Sequence, residues 1–374
     1  MNLKPLWLGI ALWCLPGALL AAPPEPETLS PLWSVRTQAP FNLAPQIQQD
    51  LVLVASGATL WAIEWQSGKV SWTYTPEEGL WERSFATSGQ LVWIGLRDRS
   101  LVALDLKTGQ TRWRRQFPLH IQFPPLWHED ALYVVTTRIG EPLERLGDPS
   151  LVVALEARSG TLRWEQETLH YAVQTPVFSE GVLYLGGSYL NPEVKTEEGG
   201  PMAIVALEAQ SGTPLWETRG EDGFVKAIHA YGDRLAYVAY QDFLVGLNAT
   251  DGTPLWRRDT GNWVPSLTGR EGVVFLGAAH TRIYAFEMSD GTRLWEHDIP
   301  WGAFNYLMGA PTLSGDRLYG LTQRGHLFAL SITTGESLWS KSTGKTSRVA
   351  AAFAPRVAIV ADEAGQVTAF AIPE

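Results

Sequence analysis

The groups with which this 374-residue chain could do chemistry are few and scattered. Its seven histidines are His120, His128, His170, His229, His280, His297 and His326. None is paired at a local metal-ligand spacing such as His-Glu-x-x-His, and they read as loop and strand-edge residues. The acid pairs Glu77/Glu78 and Glu197/Glu198 read as solvated loop charges. General acid-base catalysis needs two carboxylates at a set separation, and linear sequence does not supply that separation. There is no G-x-S-x-G elbow and no phosphate loop. The single cysteine, Cys14, lies in an apolar run near the N-terminus. Once that run is removed, no thiol nucleophile, disulfide or thiolate metal site is left. The sequence therefore assigns no catalytic residue, no metal ligand and no cofactor.

The N-terminus reads as an export signal. Lys4 supplies the positive region, Leu6 to Leu20 the apolar stretch, and Ala18, Ala21 and Ala22 the small residues before a cleavage point. An uncleaved anchor is the alternative. Trp13 stands before Cys14 where a lipobox needs a small residue, which argues against a lipoprotein. The expected layout is a signal peptide over residues 1–22, a linker over 23–29 and a folded unit over 30–374, periplasmic or secreted. A net charge of −10 argues against nucleic acid or an anionic membrane as the main partner. No second apolar run is long enough to span a bilayer.

The elements that must position any site repeat along the chain. Seven times a glycine is followed four residues later by tryptophan: Gly68/Trp72, Gly109/Trp113, Gly160/Trp164, Gly212/Trp216, Gly252/Trp256, Gly291/Trp295 and Gly335/Trp339. A serine, threonine or aspartate precedes each glycine. Six positions before it stands a small residue: Ala62, Ala103, Ala154, Ala206, Gly246, Ala285 or Ala329. The run around the small residue reads as a strand, the residue-glycine pair as a tight hairpin, and the tryptophan lies on the return strand. A further strand precedes each, as at Leu51–Val54 and Leu91–Ile94, with a less regular one before that. Four antiparallel strands per repeat make a propeller blade. An eighth unit, around Ala369, lacks its tryptophan strand, and Trp33 near the N-terminus lacks a partner. The expected fold is an all-β, eight-bladed β-propeller whose N-terminal strand completes the last blade and closes the ring. The small column leaves room for a ring to lie on the sheet, and the tryptophans fill the wedge between blades.

The segment Leu101–Trp113, LVALDLKTGQTRW, and its copies resemble the PQQ-like repeat family. That resemblance covers nearly all of residues 30–374. It implies the architecture of the quinoprotein alcohol dehydrogenases, and also that of the smaller periplasmic propeller of the outer-membrane barrel-assembly machinery. The dehydrogenases pair adjacent cysteines above a quinone and hold calcium with carboxylates and amides. The absence of cysteine from the mature chain sets it apart from them.

Two features remain as candidates for binding. The intervals Trp113–Trp164 and Trp164–Trp216 are longer than the rest, with extra residues at 138–150 and 188–201 that should rise side by side on one face. Aromatics also recur where one blade hands over to the next: Trp81, Phe123, Tyr171, Phe224, Trp263, Trp301 and Tyr306, with Asn262, Asn305, His170 and Arg348 nearby. Such a ring at a channel mouth could hold a peptide, sugar or planar ligand; packing of the inner blade ends is the alternative. The leading expectation is a monomeric, non-enzymatic scaffold that binds an envelope protein or peptide. A small-ligand module taking quinone or carbohydrate in the channel comes second. An enzyme assembled from loops comes third.

Overall fold

The computed structural model describes residues 26–374 except 38, 138–148, 169–170, 173–174, 189–201, 221–224, 240–242, 262–263, 265, 279–281, 300–305 and 374; at 82, 171–172 and 188 only the backbone is described. The described residues form eight antiparallel sheets and no helix. Blade 1 is Gln46–Gln48, Leu51–Ser56, Thr59–Glu64 and Val70–Tyr74. Blade 2 is Leu80–Ser88, Leu91–Leu96, Ser100–Asp105 and Thr111–Gln116. Blades 3 to 7 follow in the same order. In blade 4, Tyr171–Ala172 adds a fifth strand against Val182–Ser188.

The burial of each strand follows from its place in the blade. Second and third strands are covered on both faces by neighbouring blades, so they read as unbroken apolar runs. Leu51–Ser56 and Ala131–Thr136 are buried at every position. Fourth strands lie outermost and alternate, with an inward residue every second place, as in Leu162–Glu167. The first strands lie innermost, and those of consecutive blades approach one another, as Val225–Tyr231 does Ser266–Arg270. The core is a chain of inter-blade clusters. Leu53, Ala62 and Trp72 of blade 1 meet Phe85, Ile94 and Val102 of blade 2, and Val52 and Ile63 of blade 1 meet Ile359, Val367 and Ala369 of blade 8.

The repeat acts as an interlock. Each tryptophan stands directly across from its small residue, Trp72 from Ala62, Trp113 from Ala103, and so on through all eight pairs. Its indole then crosses to the next blade. A Cβ added at Gly109 would lie 2.6 Å from Trp72 Cε3, and the glycine holds φ at +69°. Only glycine satisfies both demands at once. Trp72 Nε1 donates to Leu106 O at 2.8 Å, in the loop that the glycine closes. Trp33, Trp113, Trp164, Trp216, Trp256 and Trp295 do the same to Trp65, Ala157, Ala209, Ala249, Met288 and Ile332.

The hairpin is longer than the residue-glycine pair suggests. Glu64 N bonds Lys69 O and Gly68 N bonds Glu64 O, so four residues, 65–68, make the loop and glycine is its last. A bulge follows, because Ala62 pairs Trp72 while Ile63 pairs Val70. It turns the residue before the tryptophan outward. On blades 1 to 3 that residue is Ser71, Arg112 or Arg163; on blades 4 to 8 it is the exposed Leu215, Leu255, Leu294, Leu338 or Leu32.

The ring is closed by the N-terminal strand. Pro31–Arg36 pairs Gln366–Ala371, completing blade 8. Just before it, Leu29 N and Glu27 O bond Ser342 of blade 7, and Lys341 Nζ meets Glu27 Oε2 at 2.6 Å. One segment thus straps two blades. No short loop joins the third and fourth strands of blade 8. The donor that would use such a loop, Trp339 Nε1, is shut from solvent and has no acceptor.

One packing detail makes stability depend on pH. His229, in the first strand of blade 5, fills the space left by Gly269 of blade 6, where a Cβ would fall 2.3 Å from His229 Cδ2. Burial without a compensating partner pushes its pKa below the ordinary 6.5. The unfolded chain therefore takes up a proton here before the folded one does. Stability is lost as pH falls below about 6.5, by at most about 1.4 kcal/mol per unit, until the folded pKa is reached. Melting curves at stepped pH should show His229→Gln with a shallower loss over that window than the parent protein. Parallel profiles would remove His229 as the cause.

Candidate functional site

Two cavities open along the inner strands. The larger, about 830 Å³, is walled by the first strands and blade connections of blades 6, 7, 8 and 1. Its lining is mostly small: Ala44, Gly269, Gly309, Ala310, Ala350 and Ala351, with Leu43, Leu313 and Phe353. Arginines mark its two ends. Arg348 lies before the first strand of blade 8, with Nε 3.0 Å from Glu363 Oε1. Arg270 ends the first strand of blade 6 and donates to Gly315 O in the turn of blade 7.

The smaller cavity, about 360 Å³, is lined by Asn42, Trp81, Arg83, Arg97 and Gln122. Asn42 belongs to both. Trp81 opens the first strand of blade 2 and Arg97 sits in the turn between that blade's second and third strands. The Arg97 guanidinium carbon lies 5.2 Å from the Trp81 ring centroid, a cation–π distance. The His120 ring meets Trp81 edge-on at 5.7 Å. Trp81 Nε1 is buried with no acceptor. Two residues beyond Arg97, Arg99 holds φ at +73°, in the turn position where blades 7 and 8 place Gly325 and Gly365. Left-handed backbone at a non-glycine is a local strain of the sort that gathers at functional surfaces.

Of the aromatics expected at the channel mouth, Trp81 lines a cavity, while Phe123 and Tyr306 are half-buried. Tyr171 enters as backbone of the extra strand of blade 4. Phe224, Trp263 and Trp301 lie outside the described residues, as do Asn262, Asn305, His170 and nearly all of the two insertions. Arg83, Arg97, Arg270 and Asn42 were missed by sequence reasoning. Each looks like an ordinary surface residue until the blades close round.

Among the described residues that line the larger cavity, Asn42 is the one amide and there is no carboxylate. Among the described residues, no three His, Cys, Asp or Glu side chains gather.

The model of the family described as outer membrane protein assembly factor BamB matches residues 24–122, 100–225 and 201–372. The chain belongs to that family. The BamB of Yersinia pestis is 25% identical over 267 residues, 69% of this chain and 65% of that protein, so the match spans less than two thirds of that relative. The quinoprotein alcohol dehydrogenase PedE of Pseudomonas putida is 34% identical over only 83 residues, 22% of this chain and 13% of that protein. Among solved structures, BamB from Moraxella catarrhalis superposes with a TM-score of 0.65 at 20% identity, over 92% of this chain and 100% of that one. At that identity the superposition speaks for the fold alone. No helix among the described residues is long and apolar enough to cross a membrane.

Proposed function

We propose that this propeller is a non-enzymatic scaffold of the cell envelope, exported through its N-terminal segment, that binds protein or peptide partners in outer-membrane protein assembly. The observation that carries the reading is the family match, which runs through all eight blades. The physical character of the ring supports it. The tryptophans and glycines are spent on locking blades together, which makes a stiff platform. The platform presents an arc of outward leucines on blades 4 to 8 and a cationic cavity on blade 2. Exposed apolar residues and arginines are the usual anchors of protein interfaces. The sequence match to the dehydrogenase PedE covers 83 residues, about two blades' worth of chain.

The test is capture from detergent-solubilised envelope by the full chain, exported through its own N-terminus and tagged at its C-terminus, with native mass spectrometry of the same preparation. Recovery of a barrel-assembly component with no small molecule retained is expected. A bound quinone or sugar, with no protein recovered, would overturn the scaffold and favour the channel-ligand alternative.

A further inference from the structure

The cationic cavity on blade 2 identifies the kind of partner. We propose that Trp81, Arg83 and Arg97 form the docking point for an acidic peptide segment of a protein partner. This inference rests on the scaffold reading and adds the chemistry of what is held.

The argument starts from charge. The protein carries a net charge of −10, yet the described residues of the cavity lining are two arginines, two amides and a tryptophan, with no carboxylate among them. Two acids of the same blade, Glu78 and Asp98, are already committed. Arg114 takes both Glu78 Oε1 at 2.6 Å and Asp98 Oδ2 at 2.5 Å, and Asp98 Oδ1 accepts from Ser100 besides. Its own backbone N–H and then Arg114 hold the Glu78 carboxyl below the usual carboxylate range, and, against the opposing effect of burial, Ser100 and Arg114 do the same for Asp98. Arg83 and Arg97 therefore keep their charge without an ion-pair partner among the described residues. Both are exposed, and Arg97 makes only a long bond from Nε to Leu80 O, at 3.4 Å.

Geometry adds to charge. The Trp81 face under Arg97 limits the guanidinium's freedom, so less order is lost when it binds a carboxylate in its planar fork. The turn that carries Arg97 is held by Arg97 N to Gly79 O at 3.0 Å and Arg99 N to Leu96 O at 3.1 Å. Asn42 also lines the larger cavity, whose wall includes Ala44, Gly269, Gly309 and Ala310. An extended chain laid across Asn42 could place acidic side chains on the arginines and its own backbone against the Ala/Gly wall.

The probe is a short fluorescein-labelled peptide of Glu, Ser and Gly, compared with its Gln counterpart by fluorescence anisotropy on the full chain. The Glu peptide should bind at least roughly tenfold tighter than the Gln peptide, and added salt should erode the difference. Arg83→Gln with Arg97→Gln should cost roughly tenfold or more. Because both side chains are exposed, the melting curve of the double variant should match the parent's. Arg83→Lys with Arg97→Lys should recover part of the loss, as retained charge without the fork predicts. Equal binding of the two peptides, or an unchanged double variant, overturns the proposal. The envelope capture, run on the same double variant, keeps the two ideas apart. Full recovery of a partner alongside a null peptide result removes the acidic docking point and leaves the scaffold standing; no recovery by the parent protein removes the scaffold itself.

Discussion

Trp33→Ala should cost about 3 kcal/mol, the low end of the range for truncating a large aromatic because its side chain is half-buried, and should do so by opening the ring of blades. Trp33 is the residue through which blade 8 grips blade 1. Its ring stands across from Ala369 within the sheet and packs 2.8 Å from where a Gly68 Cβ would be. Its Nε1 donates to Trp65 O at 2.9 Å. The other seams are held by covalent hairpins as well, because their third and fourth strands are continuous in sequence. The blade 8 seam is not, since its fourth strand arrives from the other end of the chain. Losing that strand would bare Gln366–Ala371, whose central residues Val367, Thr368, Ala369 and Phe370 are buried, as an unpaired apolar edge. A loss of this size is a large share of the about 5–15 kcal/mol typical of a folded domain.

Trp339→Ala is the internal control. Trp339 occupies the same column in blade 7 but has no acceptor for its indole N–H. Its removal should cost about 1 kcal/mol less than that of Trp33, the usual net worth of one hydrogen bond. Guanidinium denaturation of both variants, with limited proteolysis before residue 36, reads the result. A Trp33→Ala midpoint no lower than that of Trp339→Ala would show that the N-terminal strand does not hold the ring.

The ring was readable in the sequence because its parts obey a local rule repeated at fixed offsets. A small residue, a glycine and a tryptophan at constant spacing name the strand pair and the turn. The unmatched Trp33 and Ala369 name the closure. The bulge before each tryptophan was not readable, because it shows only in pairing register, and Ser71, Arg112 and Leu215 share no residue type. The channel was legible only in part. Of the handover aromatics, Trp81 lines a cavity, while Phe224, Trp263 and Trp301 lie outside the described residues. But Arg83 comes from a strand and Asn42, Arg97 and Gln122 from three different connections, and no one-dimensional pattern brings them together. The Ala and Gly wall of the larger cavity was silent for the opposite reason. Small residues are common near turns, and only closure of blades 6, 7, 8 and 1 makes them a surface.

Gly325→Ala should be the most damaging small substitution near that surface, at about 3–5 kcal/mol, the diagnostic tail for point mutants. The turn it belongs to recurs between the second and third strands of blades 2, 7 and 8, with Arg99, Gly325 and Gly365 at the same place. All three hold positive φ, +73°, +81° and +78°. Backbone angle alone therefore predicts a similar cost everywhere, about 1–2 kcal/mol, and Arg99 shows that a side chain can be carried there. What differs is the neighbour. A Cβ on Gly325 would sit 1.8 Å from the carbonyl oxygen of Lys345, while on Gly365 it would sit 3.2 Å from that of Ala39. Neither obstacle is a side-chain end that can swing away; at Gly365 a shift of a few tenths of an ångström is enough. At Gly325 the segment 343–349 has to move, and that segment is tied down by Thr343 N to Gly325 O at 2.8 Å and Ser347 N to Gln323 O at 2.9 Å. It also carries Arg348 and Val349 into the wall of the larger cavity. Gly325→Ala should thus lower the melting temperature well below that of Gly365→Ala and disturb the channel on the side of blades 7 and 8, leaving the Trp81 cavity on blade 2 intact. Thermal melts of the two variants, with acidic-peptide binding measured on whatever remains folded, separate these effects. Equal melting temperatures would mean that φ, and not the Lys345 carbonyl, sets the demand for glycine.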